Sequence, residues 1–292
     1  MDNKKKGRGI FIVAILAIAV FAVIPMTASA QQVLYGATGG GGSSNLYTID
    51  PSTGAANLIG PIGFRVSGIA FAPGGTLYGA GHGGFIQIDP TTGAGTFIAP
   101  INMPAGSTCS DISFAPDGTL YCYNEAGDGW GIIDPNTGAN TWIGWTGLDC
   151  CGNGMDVASD GTAYHGNEDG LNTINPLTGA GALLFPWTLP GGIEPENGVW
   201  YRPNAFDFDA TGTLYASLNG GSGGSGPTYL VTIDTSNGVM TLVGQTLDNL
   251  DALAFTSVPA PVPALTPIGL IALICLLSVI AAMSIKIRKR RG

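Results

Sequence analysis

The sequence predicts an all-β fold, a five-bladed β-propeller with four-stranded blades. The stretch Ser67–Ala99 reads as four short strands of alternating pattern, separated by turns rich in Gly, Pro and Asp. Nearly the same stretch occurs five times along the chain, at steps of 39 to 59 residues. Repeats of roughly 40 to 50 residues with four strands each are typical of propeller blades.

Two short sequence motifs, called the first and second phrase, recur at the same position of each repeat. The first predicts the inner strand of each blade, and its copies begin at Ile69, Ile112, Met155, Phe206 and Leu253. The second predicts the end of the third strand and the turn to the outer strand, and its copies contain Asp50, Asp89, Asp134, Asn175 and Asp234. Because Asp and Asn side chains accept hydrogen bonds from amides two residues on, we expect these residues, and Asp117 in the first phrase, to stabilise turns. One tyrosine of each copy is expected to serve in the packing of the blades: Tyr35, Tyr78, Tyr121, Tyr164 and Tyr215.

The two ends of the repeat array complete one another. The first copy begins at its second strand, Val33–Tyr35, and the last copy is a lone inner strand, Asp251–Phe255. Joined in one sheet, the two fragments form a fifth blade. We therefore expect the first and last strands to pair and to close the ring without an open edge.

The N-terminal residues 1–30 have the features of a secretory signal peptide. Four basic residues precede the apolar run Ile10–Ile24, and Ala28-Ser29-Ala30 follows it. This order of charge, apolar core and small residues predicts cleavage before Gln31. The protein is thus expected to be exported, with the propeller at residues 31–257.

The C-terminal part predicts a membrane anchor. A Pro-rich linker at 258–267 leads to the uncharged segment 268–285, which is just long enough for a transmembrane helix, and to the basic tail 286–292. Basic residues favour the cytoplasmic side, so the propeller is expected at the cell surface. The segment from Val262 to the tail resembles the C-terminal sorting signals handled by exosortases and archaeosortases, which implies recognition by such an enzyme.

The charge of the propeller limits its partners. Between the two terminal segments lie only two basic residues, Arg65 and Arg202, against nineteen acidic ones, a formal net charge of −17. A field of this sign disfavours nucleic acid and anionic lipid surfaces. Cations, a neutral glycan or a surface protein remain compatible with it.

Four cysteines of the exported domain predict two disulfides. They are Cys109, Cys122, Cys150 and Cys151, and three pairings connect them. The adjacent Cys150 and Cys151 could bond to each other, or each could bond to Cys109 or Cys122. The second arrangement is favoured here because crosslinks between distant loops restrict the unfolded chain most.

The insert Pro186–Pro203 is the main candidate for ligand binding. It lies on the face of the irregular loops, where functional residues on a rigid scaffold are usually found. Its aromatic and hydrogen-bonding residues would suit a sugar ring: Trp187, Glu194, Glu196, Trp200, Tyr201 and Arg202. The alternative is that Trp187 and Trp200 only plug the central channel or cover a blade junction, since buried aromatics dominate core energetics.

A second candidate site lies near the propeller axis. Asp156 and Asp207, with Asp111, fall on predicted inner strands, where carboxylates can bind Ca²⁺ through several oxygens or act as a catalytic pair. The two histidines, His82 and His165, stand about two repeats apart and could meet only near the axis.

The repeat phrases Leu46–Gly54 and Ile112–Tyr121 resemble the extracellular propellers of the YVTN and quinoprotein-like repeat group. The resemblance implies a propeller fold over most of Val33–Phe255. The sequence therefore favours a surface-anchored propeller that acts as a binding or envelope-structural module. The alternative is a secreted propeller-fold hydrolase that uses axial carboxylates and a divalent cation.

Overall fold

The computed structural model describes residues 32–39, 41–101, 109–124, 127–148, 152–193, 201–220 and 227–256. These ranges contain twenty strands. In chain order the strands are β1 Leu34–Thr38, β2 Asn45–Ile49, β3 Ala56–Pro61, β4 Gly68–Phe71, β5 Leu77–Gly81, β6 Gly84–Ile88, β7 Gly95–Ala99, β8 Asp111–Phe114, β9 Leu120–Asn124, β10 Gly129–Ile133, β11 Asn140–Trp145, β12 Met155–Val157, β13 Ala163–Gly166, β14 Gly170–Ile174, β15 Gly181–Pro186, β16 Tyr201–Phe208, β17 Leu214–Gly220, β18 Thr228–Ile233, β19 Met240–Gln245 and β20 Leu250–Phe255.

The strands form five four-stranded antiparallel sheets, which confirms the predicted five-bladed, all-β propeller. Blade 1 has the order β20-β1-β2-β3, and blades 2 to 5 are β4–β7, β8–β11, β12–β15 and β16–β19. The first strand of each order is innermost. The four strands expected within Ser67–Ala99 are all present, as β4 to β7.

Blade 1 is completed by strands from both ends of the repeat array. β1 pairs antiparallel with β20, and Leu34 lies opposite Phe255. Beyond the ladder, the Thr256 amide donates to the Val33 carbonyl at 2.9 Å, and the Val33 amide donates to the Thr256 hydroxyl at 3.0 Å. The expected pairing of first and last strands is therefore present.

The cores lie between neighbouring blades, where the apolar faces of two sheets meet. One tyrosine at the same position of each blade shows how the blades are joined. Tyr35 of blade 1 packs edge-on against Phe71 of blade 2, with ring centroids 5.3 Å apart. Blades 2, 4 and 5 repeat this contact with the pairs Tyr78–Phe114, Tyr164–Phe208 and Tyr215–Phe255. Four of the five tyrosines therefore make an aromatic contact with the next blade.

Blade 3 departs from this pattern for a reason visible in the sequence. The residue of blade 4 that would meet Tyr121 is Val157, which is smaller than Phe. Tyr121 instead stacks on Trp130 of its own blade, at 4.8 Å between centroids. An aromatic contact within the blade thus replaces the one between blades.

The repeated turns have the expected Asx hydrogen bonds. The Asp50 carboxylate accepts the Ser52 amide at 2.8 Å, and the carboxylate of Asp117 accepts the Thr119 amide at 2.9 Å. Equivalent bonds are made by Asp89, Asp134, Asn175 and Asp234. The glycine of each turn between third and outer strand has positive φ, for example 79° at Gly54, which L side chains adopt only at a cost.

The disulfide differs from the favoured prediction. Cys109 bonds to Cys122, with Cα atoms 5.6 Å apart, and both residues are fully buried. The bond joins the segment before β8 to β9, so it staples one hairpin rather than two distant loops. The favoured pairing of Cys109 or Cys122 with Cys150 or Cys151 is therefore wrong; Cys150 and Cys151 lie outside the described residues.

The predicted terminal segments are not part of the described structure. Residues 1–31 and 257–292 lie outside the described ranges. Within those ranges, no helix has the length and apolar character needed to cross a bilayer. The signal peptide, the Pro-rich linker, the membrane helix and the basic tail remain predictions from sequence.

Candidate functional site

Three inner-strand carboxylates link neighbouring blades around the axis. Asp111 of β8 accepts the backbone amide of Met155 in blade 4 at 2.9 Å. Asp156 of β12 accepts the Phe208 amide in blade 5 at 2.7 Å. Asp207 of β16 accepts the amide of Phe255 in blade 1. The inner strand of each blade is an edge strand, so its outward amides have no neighbouring strand to bond to. Each carboxylate accepts a hydrogen bond from one such amide of the next blade.

Asp156 is the most heavily bonded of the three carboxylates. Besides the bond from the Phe208 amide, it accepts hydrogen bonds from the amide of the adjacent Val157, at 2.8 Å, and from the hydroxyl of Ser113 in blade 3. Through these bonds a single side chain connects three successive blades. Such a role in assembly explains its burial, at 5% exposure.

The three carboxyls hold their protons unusually strongly. Burial raises the pKa of Asp156 to about 6, although bonds from Ser113 and from backbone amides oppose the shift. Burial raises the pKa of Asp207 well above its usual range, and the charge of the adjacent Asp156 adds to the effect. Burial also raises the pKa of Asp111 well above the usual range. Two neighbouring carboxyls of this kind titrate as a pair, so neither loses its proton independently of the other.

A cavity of about 440 Å³ opens beside this pair. Asp156 and Asp207 contribute to its wall, together with the rings of Phe71, Phe114 and Phe208. Pro73, Pro116 and Asp209 place its mouth at the turns between first and second strands. The axial carboxylates therefore open on the face of the regular turns, opposite the face that carries the insert.

The arrangement is poorly suited to a metal ion. Within the described ranges, no group of three or more His, Cys, Asp or Glu side chains is placed to hold one. The oxygens of Asp156 already accept bonds from amides and a hydroxyl. Calcium requires six to eight oxygen ligands, so binding at Asp156 and Asp207 would require those bonds to be replaced.

The histidines lie in different environments. His82 is exposed in the turn between β5 and β6, and partial burial and Arg65 lower its pKa. His165 is fully buried in β13, and its Nδ1 lies 3.1 Å from the Gly154 carbonyl oxygen. Burial lowers the pKa of His165 to about 3, so the ring is neutral at ordinary pH.

The described part of the insert covers the junction of blades 4 and 5. The Trp187 indole nitrogen donates to the Asn167 carbonyl at 2.6 Å, and its ring meets Phe206 edge-on, 6.5 Å between centroids. Tyr201 packs against Tyr229 at 6.0 Å. Trp187 thus covers the junction between blades 4 and 5, as the alternative to ligand binding expected. Glu194, Glu196 and Trp200 lie outside the described residues.

Arg202 begins a row of polar residues across blade 5. It lies opposite Asn219 in the β16–β17 ladder, and Asn219 lies opposite Thr228 in the β17–β18 ladder. The amide of Thr246 donates to the Thr228 carbonyl at 3.0 Å and so extends the row to the outer strand. Directly opposed residues project from the same sheet face. In this blade that face packs against blade 1.

Three buried side chains and the half-buried Thr246, in and beside this row, have buried polar atoms without a partner within the described ranges. Ser217, Asn219, Thr228 and Thr246 are called the polar cluster below. The Ser217 and Thr228 hydroxyls, both side-chain amide atoms of Asn219 and the Thr246 hydroxyl have no hydrogen-bond partner within the described ranges. Ser217 and Thr228 are 0% exposed and Asn219 is 2% exposed. Since buried polar groups are nearly always bonded in native proteins, this cluster requires an explanation.

Sequence reasoning missed the polar cluster. Ser217 and Asn219 alternate in β17 with the buried Ala216 and Leu218, a pattern that ordinarily indicates a strand with one face in water. Here the polar face is buried as well, against blade 1. The available signal was the length of β17, which at seven residues extends beyond the second strands of the other blades.

Comparisons with known proteins support the fold alone. No protein-family model matches the sequence. No curated protein matches it either. Among solved structures, a chain of a nidogen/laminin complex aligns with a TM-score of 0.50 at 13% identity, over 77% of this chain and 98% of that chain.

Two further solved structures align with lower scores. A protein of unknown function from Bacteroides caccae has a TM-score of 0.47 at 14% identity, over 77% of this chain and 98% of that chain. Regucalcin from Agrobacterium tumefaciens, a calcium-binding protein, has a TM-score of 0.46 at 17% identity, over 76% of this chain and 77% of that chain. Neither likeness transfers a ligand or an activity to this chain.

Proposed function

We propose that the protein is an exported, surface-anchored β-propeller that binds a small neutral polyhydroxylated ligand, such as a glycan residue, on the insert-bearing face. The observation that carries the proposal is the side chain of Asn219, which is 2% exposed and has neither amide atom bonded within the described ranges. Leaving such a group unpaired costs about 1–3 kcal/mol. A ligand that supplies the missing bonds would offset this cost.

The chemistry of the polar cluster suits hydroxyl groups. Serine and threonine hydroxyls and the asparagine amide each donate and accept, as the hydroxyls of a sugar also do. Arg202, at the axial end of the row, adds further hydrogen-bond donors. The propeller contains no lysine. The strongly acidic surface disfavours an anionic ligand. A neutral ligand with several hydroxyls is the class that satisfies all three conditions.

The residues of the insert belong to the same proposal. Tyr201 directly precedes Arg202, and the aromatic ring of Trp187 lies at the junction of blades 4 and 5. Trp200, Glu194 and Glu196, which complete the sequence-predicted set, would extend the contact surface. Export and anchoring through the segments at 1–30 and 268–285 place this surface outside the cell, so that a ligand of the cell envelope can reach it.

A glycan array probed with the full chain tests the proposal. Thr228→Val and Asn219→Leu keep the shape of the side chains but remove their polar atoms. We expect each to weaken glycan binding by about tenfold, because one or two hydrogen bonds are lost. We also expect an unchanged or raised Tm, because an apolar residue at these buried positions has no unpaired polar atom. Thr241→Val, at an exposed position of β19, is the matched control and should change neither quantity.

The opposite pattern would contradict the proposal. If native protein binds no glycan and Thr228→Val lowers the Tm, the cluster is an internal hydrated part of the fold and binds no ligand. If glycan binding is native-like in both variants but lost in Trp187→Ala, the ligand contacts the insert alone. The two readouts, affinity and Tm, distinguish these cases.

One observation favours a second candidate, a propeller-fold hydrolase. Asp207 has a raised pKa, lies beside Asp156 and borders the axial cavity of about 440 Å³. A carboxyl that holds its proton next to an ionised one is the arrangement of a general acid and its partner. The divalent cation of this alternative would have to displace the amide bonds described above.

The variant Asp207→Asn separates the two candidates. For a hydrolase we expect loss of cation-dependent turnover. For an assembly role we expect greater stability at pH 7. The buried aspartate must take up a proton when the chain folds, whereas the asparagine is neutral in both the folded and the unfolded state. The gain should vanish near pH 4. Urea unfolding at both pH values, with and without EDTA, measures it.

A further inference from the structure

A groove on the face of the regular turns runs from the axis outwards between blades 4 and 5. It consists of the axial cavity of about 440 Å³ and a second cavity of about 290 Å³, which share Ser159, Phe208 and Asp209 in their walls. Asp160 and Tyr164 line the second cavity. The two cavities together are called the axial groove below. The axial cavity has the size of small-molecule pockets, which measure roughly 300–1,000 Å³.

Three phenylalanine rings form much of the apolar wall of the axial cavity. Phe71, Phe114 and Phe208 come from blades 2, 3 and 5, and each is half-buried. Each ring packs against the tyrosine of the preceding blade, at 5.3 to 5.9 Å between centroids. The rings are therefore held in place before a ligand arrives, which lowers the cost of binding. Aromatic faces of this kind attract cations.

The charged residues of the groove are all acidic. Asp156 and Asp207 line the axial cavity, Asp160 lines the second cavity, and Asp209 lines both. Among the described residues that line either cavity, none is Lys, Arg or His. Burial raises the pKa of Asp156 to about 6 and that of Asp207 well above its usual range. A cation in the groove would favour the ionised form of both carboxyls.

The hydrogen-bonding capacity of these carboxylates is largely used within the fold. Asp156 accepts bonds from two amides and from the Ser113 hydroxyl. The Oδ1 atom of Asp209 accepts the amides of Thr211 and Thr213, each at 2.9 Å. A ligand that interacts with these groups through its charge alone therefore fits better than one that needs their lone pairs. A quaternary ammonium group has no N–H donor and binds to aromatic faces, so it meets this condition.

We propose that the axial groove binds an organic cation through a quaternary ammonium group. The ammonium group lies against the rings of Phe71, Phe114 and Phe208, and the half-buried carboxylates of Asp207 and Asp209 supply the negative charge. A metal ion fits less well, since Ca²⁺ requires six to eight oxygen ligands. Because the groove opens on the face opposite the insert, this site is independent of the proposed glycan site.

Isothermal titration calorimetry of the full chain with choline tests the site. About 0.15 M NaCl in the buffer screens general attraction to the acidic surface. The neutral isostere 3,3-dimethylbutan-1-ol has the shape of choline without its charge. We expect choline to bind, and the isostere to bind at least about tenfold more weakly, because it lacks the attraction to the rings and carboxylates.

Two variants test the groove residues separately. Asp209→Asn removes one charge and keeps a side-chain oxygen for the amides it accepts. Phe114→Leu removes one aromatic face, and Val157 at the equivalent position of blade 4 shows that an aliphatic residue is compatible with the fold. We expect each variant to weaken choline binding by about threefold to tenfold.

The matched control is Asp134→Asn, which removes one charge from a turn outside the groove. Its counterpart in blade 4 is Asn175, which makes the same turn without a charge. We expect this control to bind choline as the native chain does. A native-like Tm of each variant establishes that it is folded.

Three outcomes would overturn the proposal. Equal binding of choline and its isostere would show an apolar cavity without preference for a cation. Equal weakening in Asp209→Asn and Asp134→Asn would assign binding to the general field of the acidic propeller. The native chain could bind no choline up to about 10 mM, and binding of Ca²⁺ in its place would make the carboxylates a metal site.

Discussion

His165 is held in a fully buried position by contacts that do not compensate for a charge. Its ring lies 4.0 Å from that of Tyr123, and its Nδ1 is close to the Gly154 carbonyl. The Nε2 atom is buried and has no hydrogen-bond partner within the described ranges. A proton added to this ring would therefore create a buried charge without a counter-ion.

This environment predicts a loss of stability in acid. The pKa of His165 is about 3 in the folded protein, against 6.5 in the unfolded chain. The unfolded state therefore binds more protons between these values, and stability falls as pH drops from 6.5 towards 3. We expect His165→Phe to lessen this loss, so that the difference in unfolding free energy between native and variant changes by about 3 kcal/mol between pH 7 and pH 4.

The raised pKa values of the axial carboxylates make the protein more stable as the pH falls, which opposes the effect of His165. The quantity to measure is therefore the difference in unfolding free energy between the native chain and His165→Phe. Urea titrations at several pH values supply it, and the contribution of Asp111, Asp156 and Asp207 is common to both chains. His82→Phe is the control, since His82 is exposed and we expect a much smaller change. A difference that does not vary with pH, or an NMR titration of His165 near 6.5, would contradict the assignment.

At the scale of elements, each outer strand fits against the turn of the following blade. A Cβ at Gly60 of β3 would overlap the Thr92 carbonyl oxygen, and a Cβ at Gly144 of β11 would overlap that of Thr178. Gly244 of β19 has the same relation to Thr53 of blade 1. The junction that closes the ring is therefore built like the junctions inside the array.

We expect Gly144→Ala to destabilise the protein by about 1–3 kcal/mol, because the backbone of blade 4 must move to admit the methyl group. Gly74→Ala is the matched control. No atom lies within 4 Å of a Cβ at Gly74, and its φ is not positive. The control should be neutral or slightly stabilising, because alanine restricts the unfolded chain. Thermal unfolding followed by circular dichroism measures both variants, and equal Tm values would refute the role of this contact.

The elements were predictable because each is short and repeated. Alternation of apolar and polar residues predicts the strands, and the pattern Asp-x-x-Thr-Gly predicts the turns. Comparison of the five copies shows where each strand begins and ends more clearly than any single copy does. The polar cluster could not be predicted, since alternation in β17 indicates water on the face of Ser217 and Asn219, whereas blade 1 covers it. The Cys109–Cys122 pairing depends on which loop reaches which strand, and spacing alone does not determine that.

At the scale of the whole molecule, the charge is concentrated in turns that hold their carboxylates ionised. Hydrogen bonds from Ser52 lower the pKa of Asp50, and bonds from Thr91 lower that of Asp89. Asn175 makes the same turn without a charge, with its Oδ1 accepting the Leu177 amide at 2.9 Å. The turns thus require a hydrogen-bond acceptor, but not a negative charge.

We expect stability to rise with salt, because ions screen the repulsion between these carboxylates. From low salt to about 0.5 M NaCl we expect the Tm to rise by a few degrees. A chain with Asp50→Asn, Asp89→Asn, Asp134→Asn and Asp234→Asn keeps the turns and should show a smaller gain. Differential scanning calorimetry of both chains gives the comparison; identical responses to salt would mean that turn repulsion does not limit stability.

The pairing of β1 with β20 also has a consequence for the time course of folding. Leu34 and Phe255 are opposite one another, so the first blade is completed only after the last strand has been synthesised. Until then β1 presents an unpaired edge, although blades 2 to 5 contain all their strands in contiguous sequence. Long-range pairings of this kind slow folding more than they weaken the product. The interval between synthesis of β1 and of β20 is thus the period in which the nascent chain most needs protection from misassociation.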